Sequence, residues 1–251
     1  VNSPHNPTGT VLSDDDLAEI ARLCIEHDVI TLTDEVYEHL LFDGRTHTPL
    51  ATLPGMRERT LRISSAAKTF NCTGWKIGYA VAPPLLTAEF RKVHQYNTFT
   101  SFGPAQYGFA AMIRDEPEHD EQLGAFYQAK RDRFREQLLG TRLKPLPVPG
   151  GYFQLVDYSA VSDLDDVAFS RWLTVEHGVT GIPLSPFYAT PPAGQRLART
   201  FAEGLPLFRR VNVHQAHAHR LLVYQHVDGV AVDDAHDLAA QLGPCRRGND
   251  Q

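Results

Sequence analysis

Cysteine is scarce in this chain. Three occur in 251 residues, Cys24, Cys72 and Cys245, and no two share a Cys-x-x-Cys spacing. That fits reduced thiols in a cytosolic protein better than a disulfide framework or a zinc site. Also missing is any apolar run of the ~20 residues that a bilayer-spanning helix needs, so no membrane partner is expected. There is no basic excess. Lys and Arg number 24 against 30 Asp and Glu, a net charge of −6. A nucleic-acid footprint is therefore not expected. No internal repeat, low-complexity linker or secretory signal pattern is visible, and a cytoplasmic location is the expectation.

What remains is ordinary for a globular chain: 42% hydrophobic and 22% charged residues, enough for one large or two modest domains. Ser13 followed by Asp14, Asp15 and Asp16 reads as a helix N-cap and an acidic first turn. Leu17, Ile20, Leu23 and Cys24 then recur at helical spacing to about His27. Residues 29–32 form a short continuous apolar run, the sign of a parallel strand buried on both faces. Helix followed by buried strand is the repeat of a doubly wound sheet. Further strands are expected at 60–63, 78–82 (stopped by Pro83-Pro84), 152–156 and 179–183. Helices are expected at 90–96, 104–114, 117–139 and 165–177. The third should bury Phe126, Tyr127, Phe134 and Leu138, and the last Phe169, Trp172 and Leu173. The expected fold class is α/β. A partial large domain with a mostly parallel doubly wound sheet spans 1–118. A smaller α+β domain spans 119–251, divergent after about residue 200, with a helix returning at 233–242.

Chemistry-bearing residues gather where these strands end. Lys68 follows Ser64-Ser65-Ala66-Ala67, just past the 60–63 run. Small neighbours leave room beside it, and a lysine so placed suits Schiff-base formation with a carbonyl group. Asp34 and Tyr37, in Thr33-Asp34-Glu35-Val36-Tyr37-Glu38, close the 29–32 run. Asn6 sits in the turn Asn2-Ser3-Pro4-His5-Asn6-Pro7-Thr8-Gly9. Singly, each has a plainer reading: an ordinary turn, a loop cap, a surface lysine. Together, an amide, a carboxylate, a phenol and a lysine at strand ends are the set that pyridoxal phosphate (PLP) chemistry needs.

These three motifs in this order, with Thr73-Gly74-Trp75-Lys76-Ile77-Gly78 closing the last, resemble the class I/II aminotransferases of PLP fold type I. Residues 91–96, 158–162, 176–179 and 182–185 are similar to the methionine and kynurenine aminotransferase subgroup. The resemblance runs from residue 1 to about 199. It implies that Lys68 carries PLP as a Schiff base and moves the substrate's Cα proton. It implies that Asp34 keeps the pyridine nitrogen protonated. Asn6 and Tyr37 would hydrogen-bond the ring oxygen, and the Asn6–Pro7 bond is often cis in the family. Ser65 and Lys76 match positions that contact the phosphate, with Lys76 standing where most of the broader class has arginine. Asn6 and Arg199, the latter in Arg196-Leu197-Ala198-Arg199-Thr200-Phe201, match substrate-binding positions, with Arg196 as the competing carboxylate anchor.

The reaction so implied is transamination of a large apolar, sulfur-containing or aromatic L-amino acid with a 2-oxo acid, in a homodimer. Tyr152, Phe187 and Tyr188 would suit such side chains. Three alternatives stay open: a cysteine-conjugate β-lyase on the same cofactor, the effector domain of an aminotransferase-like transcription regulator, and an inactive fragment. The family carries a large portion ahead of the position of Val1, so a fragment is expected. No metal is expected; His214-Gln215-Ala216-His217-Ala218-His219 has the composition of a metal tract, but with no carboxylate or cysteine framework beside it the run reads as a polar tail.

Overall fold

The structure is a computed structural model and describes residues 1–201. The expectations that fall beyond them, the histidine run at 214–219, the helix at 233–242 and Cys245, lie outside the described residues.

Helix α1 (Asp14–Glu26) begins where the acidic sequence predicts. Asp16 N donates to Ser13 Oγ at 3.1 Å and Ser13 N donates to Asp16 Oδ2 at 3.0 Å, a reciprocal capping box. Leu17 and Ala21 pack on Leu50 and Met56. Strand β1 (Thr31–Asp34) follows, two residues later than the apolar run suggests. Thr31 and Thr33 are the buried pair, while Ile30 and Leu32 are 65% and 55% exposed. The expected burial on both faces is therefore corrected. Alternate residues of a strand face opposite sides, and only the threonine side is covered among the described residues.

Strand β2 (Thr60–Ser64) runs parallel to β1, with Asp34 opposite Ile63. Strand β3 (Tyr79–Val81) is antiparallel to β2, with Tyr79 opposite Ser64. On the far side of β1 the chain start runs alongside: Asp34 N donates to Val1 O at 2.8 Å and Ser3 N to Asp34 O at 3.2 Å. The described sheet is thus mixed, parallel at β1–β2 and antiparallel at β2–β3. Between β2 and β3 lies a short helix, α2 (Ala66–Thr69).

Helices α3 (Pro84–Asn97) and α4 (Gly103–Asp115) each carry proline in the first turn, where its missing N–H costs nothing. Helix α5 (His119–Gln137) buries Leu123, Tyr127 and Phe134, and Leu138 just past its end is also buried. Phe126, expected on that face, is instead 41% exposed, with the Lys130 amine 4.4 Å from its ring centroid.

The second sheet is built from β4 (Lys144–Pro145), β5 (Phe153–Asp157), β6 (Ile182–Pro183) and β7 (Leu197–Phe201), in the order β4-β5-β7-β6, all antiparallel. Helix α6 (Asp166–His177) starts at Asp165, whose Oδ1 accepts from Ala168 N at 2.7 Å, and stops at Gly178 in the left-handed region. It lays Phe169 flat on Tyr158, ring centroids 3.7 Å apart. One core cluster links the turn after β1 to α5 and β5: Tyr37, Leu40, Phe42, Leu123, Tyr127, Val148 and Phe153. Gly9 fixes the Asn6 turn against this cluster. Its φ is +71°, and a Cβ there would meet Val148 Cγ1 at 2.6 Å and Gly150 O at 2.7 Å. Among the described residues, no helix is long and apolar enough to cross a membrane.

Candidate active site

The ends of β1 and β2 are neighbours, and each releases a turn into the same space. After β1, Asp34 Oδ1 accepts from Val36 N at 3.2 Å. A helical turn follows, closed by Glu38 N to Glu35 O at 2.9 Å, and carries Tyr37 into the core at 2% exposure. The Tyr37 ring stands edge-on to Tyr152 and Phe153, at 5.1 and 6.1 Å. Burial, then the neighbouring Tyr152 hydroxyl, pushes the Tyr37 phenol far above its usual range, so it stays protonated and able to donate.

After β2, Ser65 caps α2, its Oγ accepting from Lys68 N at 3.3 Å. The turn brings Lys68 Nζ to 5.8 Å from the Tyr37 ring centroid. No hydrogen bond or ion pair engages this amine among the described residues. Burial lowers its pKa, the charge of Lys76 lowers it further, and Asp34 opposes both. Lys76 is exposed, in the left-handed region at φ 56°.

The other wall comes from β7. Arg199, opposite Leu155 of β5, is 8% exposed. Its guanidinium carbon lies 4.2 Å from the Phe153 centroid and 5.2 Å from that of Phe187. Its Nη1 donates to Asn6 Oδ1, a contact across 193 residues of chain. Its Nε is buried and has no hydrogen-bond partner. Burial lowers its pKa, countered by Tyr37 and Tyr152, but a guanidinium remains a cation at any working pH. Arg196 is committed elsewhere, 2.8 Å from the exposed Asp163. The Asn6–Pro7 bond is cis. Thus Asn6, Asp34, Tyr37, Ser65, Lys68, Lys76 and Arg199 meet at one place. Tyr152 lies beside them, whereas Phe187 and Tyr188 are about half exposed.

Sequence reasoning missed a charged layer beneath this site. Glu35 Oε1 accepts from Thr33 Oγ1 at 2.8 Å, and its Oε2 meets His47 Nε2 at 2.8 Å and Arg62 Nε at 2.6 Å. Burial opposes the Glu35 charge, but His47, Thr33 and Arg62 outweigh it and hold the carboxyl below its usual range. Arg62 also pairs with Glu38. A signal existed: an arginine inside a predicted buried strand demands a counter-charge.

The residues present fit pyridoxal phosphate. An unpaired lysine of lowered pKa suits its aldehyde, a strand-end carboxylate its ring nitrogen, and a hydroxyl with a cation its phosphate. Arg199, a buried cation with an unmatched donor, suits a substrate carboxylate.

Residues 1–202 match the family of class I and II aminotransferases. The chain belongs to this family. It is 48% identical over 203 residues to a methionine aminotransferase of Escherichia coli, covering 81% of this chain and 53% of that one. It is 39% identical to kynurenine–oxoglutarate transaminase 3 of Mus musculus, covering 74% and 45%. A solved E. coli structure with methionine aminotransferase function superposes with a TM-score of 0.78 at 47% identity, covering 82% of this chain and 54% of that one. The chain therefore has the α/β fold of PLP fold type I, a family whose cofactor is pyridoxal phosphate. It spans about half the length of the curated relatives it matches.

Proposed function

We propose that this chain provides the lysine-bearing part of a PLP-dependent aminotransferase. The substrates proposed are a large apolar, sulfur-containing or aromatic L-amino acid and a 2-oxo acid. The observation that carries the reading is Arg199: buried, bonded to Asn6, with an unmatched Nε, beside the Tyr37–Lys68 pair. The printed names of the relatives, methionine and kynurenine aminotransferases, support the substrate class. A cytoplasmic homodimer, and a change from large to small domain near residue 118, belong to the same proposal.

Bound PLP supplies the electron sink that lets a Cα–H bond ionise. The chain's residues do the rest. Lys68 would hold the cofactor and would serve as the base at Cα; a lowered pKa keeps more of it unprotonated, and general-base catalysis contributes about 10²–10⁴-fold. Asp34 holds the ring nitrogen's proton. Tyr37, a neutral phenol, donates to the ring oxygen. Asn6 spends its Oδ1 on Arg199 and keeps its Nδ2 for the same ring oxygen. Ser65 and Lys76 take the phosphate, Lys76 as a point charge. Arg199 grips the substrate carboxylate with the planar fork that its Phe153 and Phe187 neighbours flank.

The test combines this chain with the portion of the E. coli methionine aminotransferase that it does not span, and follows amino transfer from methionine. Arg199→Lys keeps charge but loses the fork, so KM should rise about tenfold or more for amino and oxo acid alike. Borohydride reduction with peptide mapping should place the pyridoxyl group on Lys68. The same KM defect from Arg196→Lys but not Arg199→Lys, or label on another lysine, defeats the reading.

A further inference from the structure

Glu38 joins the two turns that form the site. Its side chain is 8% exposed. Its Oε1 accepts from Ser64 Oγ at 2.6 Å and from Tyr79 Oη at 3.1 Å. Its Oε2 pairs with Arg62 Nη2. One carboxylate therefore binds three residues of β2 and β3, two of which, Ser64 and Tyr79, are register partners.

The chain neighbours of these groups give the network its meaning. Glu38 directly follows Tyr37. Ser64 directly precedes Ser65, the cap of the turn that holds Lys68. The two turns face each other across the 5.8 Å between the Lys68 amine and the Tyr37 ring. At their bases they are fastened by a charge-assisted hydrogen bond, roughly twice as strong as a neutral one. Ligand-type atoms of Glu35, Glu38 and His47 lie within 4.8 Å of one another. Arg62 already supplies positive charge to both carboxylates there, so this is an ion-pair layer and not a cation site.

We infer that Glu38 is a positioning residue for the Lys68 amine: its bond to Ser64 sets how closely the Ser65–Lys68 turn stands against Tyr37. Loosening that bond lets the amine move outward into water. An amine returned to water regains the ordinary lysine pKa and becomes a poorer nucleophile near neutrality. The inference rests on the proposed role of Lys68 as the reactive amine.

The test uses the 251-residue chain with pyridoxal phosphate and borohydride at fixed, mildly alkaline pH. Peptide mapping gives label on Lys68 relative to Lys92, an exposed lysine of α3. Ser64→Ala should lower that ratio about tenfold or more, since misplacing a reacting group by about 1 Å costs up to about 10²-fold. Glu38→Gln retains an acceptor oxygen and should stay closer to wild type than Ser64→Ala. A Ser64→Ala chain that melts cooperatively and labels at the wild-type ratio overturns the inference. Should Ser64→Ala not fold, Ser64→Cys, which keeps a side chain there but is only a weak donor, decides: a lowered ratio supports the inference and an unchanged one overturns it. A wild-type chain in which Lys68 is labelled no more than Lys92 overturns the functional reading and this inference with it, whereas an unchanged mutant ratio overturns the inference alone.

Discussion

Lys68 is held in a state that its own stability would not choose. Its amine is part-buried, the charge of Lys76 adds to that cost, and Asp34 compensates only in part. A lysine with a folded-state pKa below its ordinary value of 10.5 destabilises the fold while protonated. Below the folded value both folded and unfolded chains hold the proton, and the penalty is fully present. Between the lowered folded value and 10.5 the unfolded chain binds more protons, so stability rises with pH across that window. Lys68→Met should accordingly stabilise the chain at neutral pH. The advantage should shrink as pH climbs through the folded value towards 10.5. Thermal melts of both chains over a pH series check this, since their difference cancels Tyr37 and the other titrating groups. A gain that is constant with pH, or absent at neutrality, would reject it. The same reasoning explains why Arg199 and Arg196 diverge. An exposed Asp163 occupies Arg196, while Arg199 is left with an unmatched donor inside.

Elements that carry their own start and stop signals were legible in the sequence. Ser13 and Asp16 define α1 through two hydrogen bonds between neighbours in the chain. Ser13→Ala breaks this box far from the site and should lower stability by about 1 kcal/mol. Denaturant unfolding should show a lower midpoint with unchanged slope, while an unchanged midpoint would mean that the box contributes nothing. Asp165 and Gly178 bracket α6 in the same local way. The strand β1 was less legible. The run Val29-Ile30-Thr31-Leu32 advertises burial, yet its threonines are the covered residues. Which face is covered depends on what packs there, and hydropathy alone does not record that. The site was legible as residue types at strand ends, because Asp34, Ser65 and Lys68 are each placed by the strand just before them. The contacts that organise it were not. Asn6 meets Arg199 across 193 residues, and Glu38 meets Ser64 across 26 and Tyr79 across 41. No periodicity encodes such distances.

At the scale of the whole chain, the distribution of apolar surface decides how it behaves in solution. Single exposed apolar side chains are common on any protein, whereas runs of them are not. Among the described residues, three stretches carry several exposed ones close together. Val29, Ile30 and Leu32 belong to the first, and Tyr79 and Val81 to the second. The third runs from Val93 through Tyr96, Phe99 and Phe102 to Tyr107 along α3, α4 and their connection, with Tyr96 at 87% and Phe99 at 80% exposure. Burying apolar surface contributes roughly 25 cal/mol per Å². Several aromatic rings left in water therefore favour any association that covers them. The 251-residue chain alone should bind an apolar fluorescent dye strongly and should self-associate as its concentration rises. Adding the portion of the E. coli methionine aminotransferase that it does not span should suppress both by covering these stretches. Sedimentation velocity over a concentration series, read beside dye fluorescence, tests the argument. A monomer that binds no dye at any concentration would mean that these stretches are already covered, and that the apolar surface lies elsewhere than the structure places it.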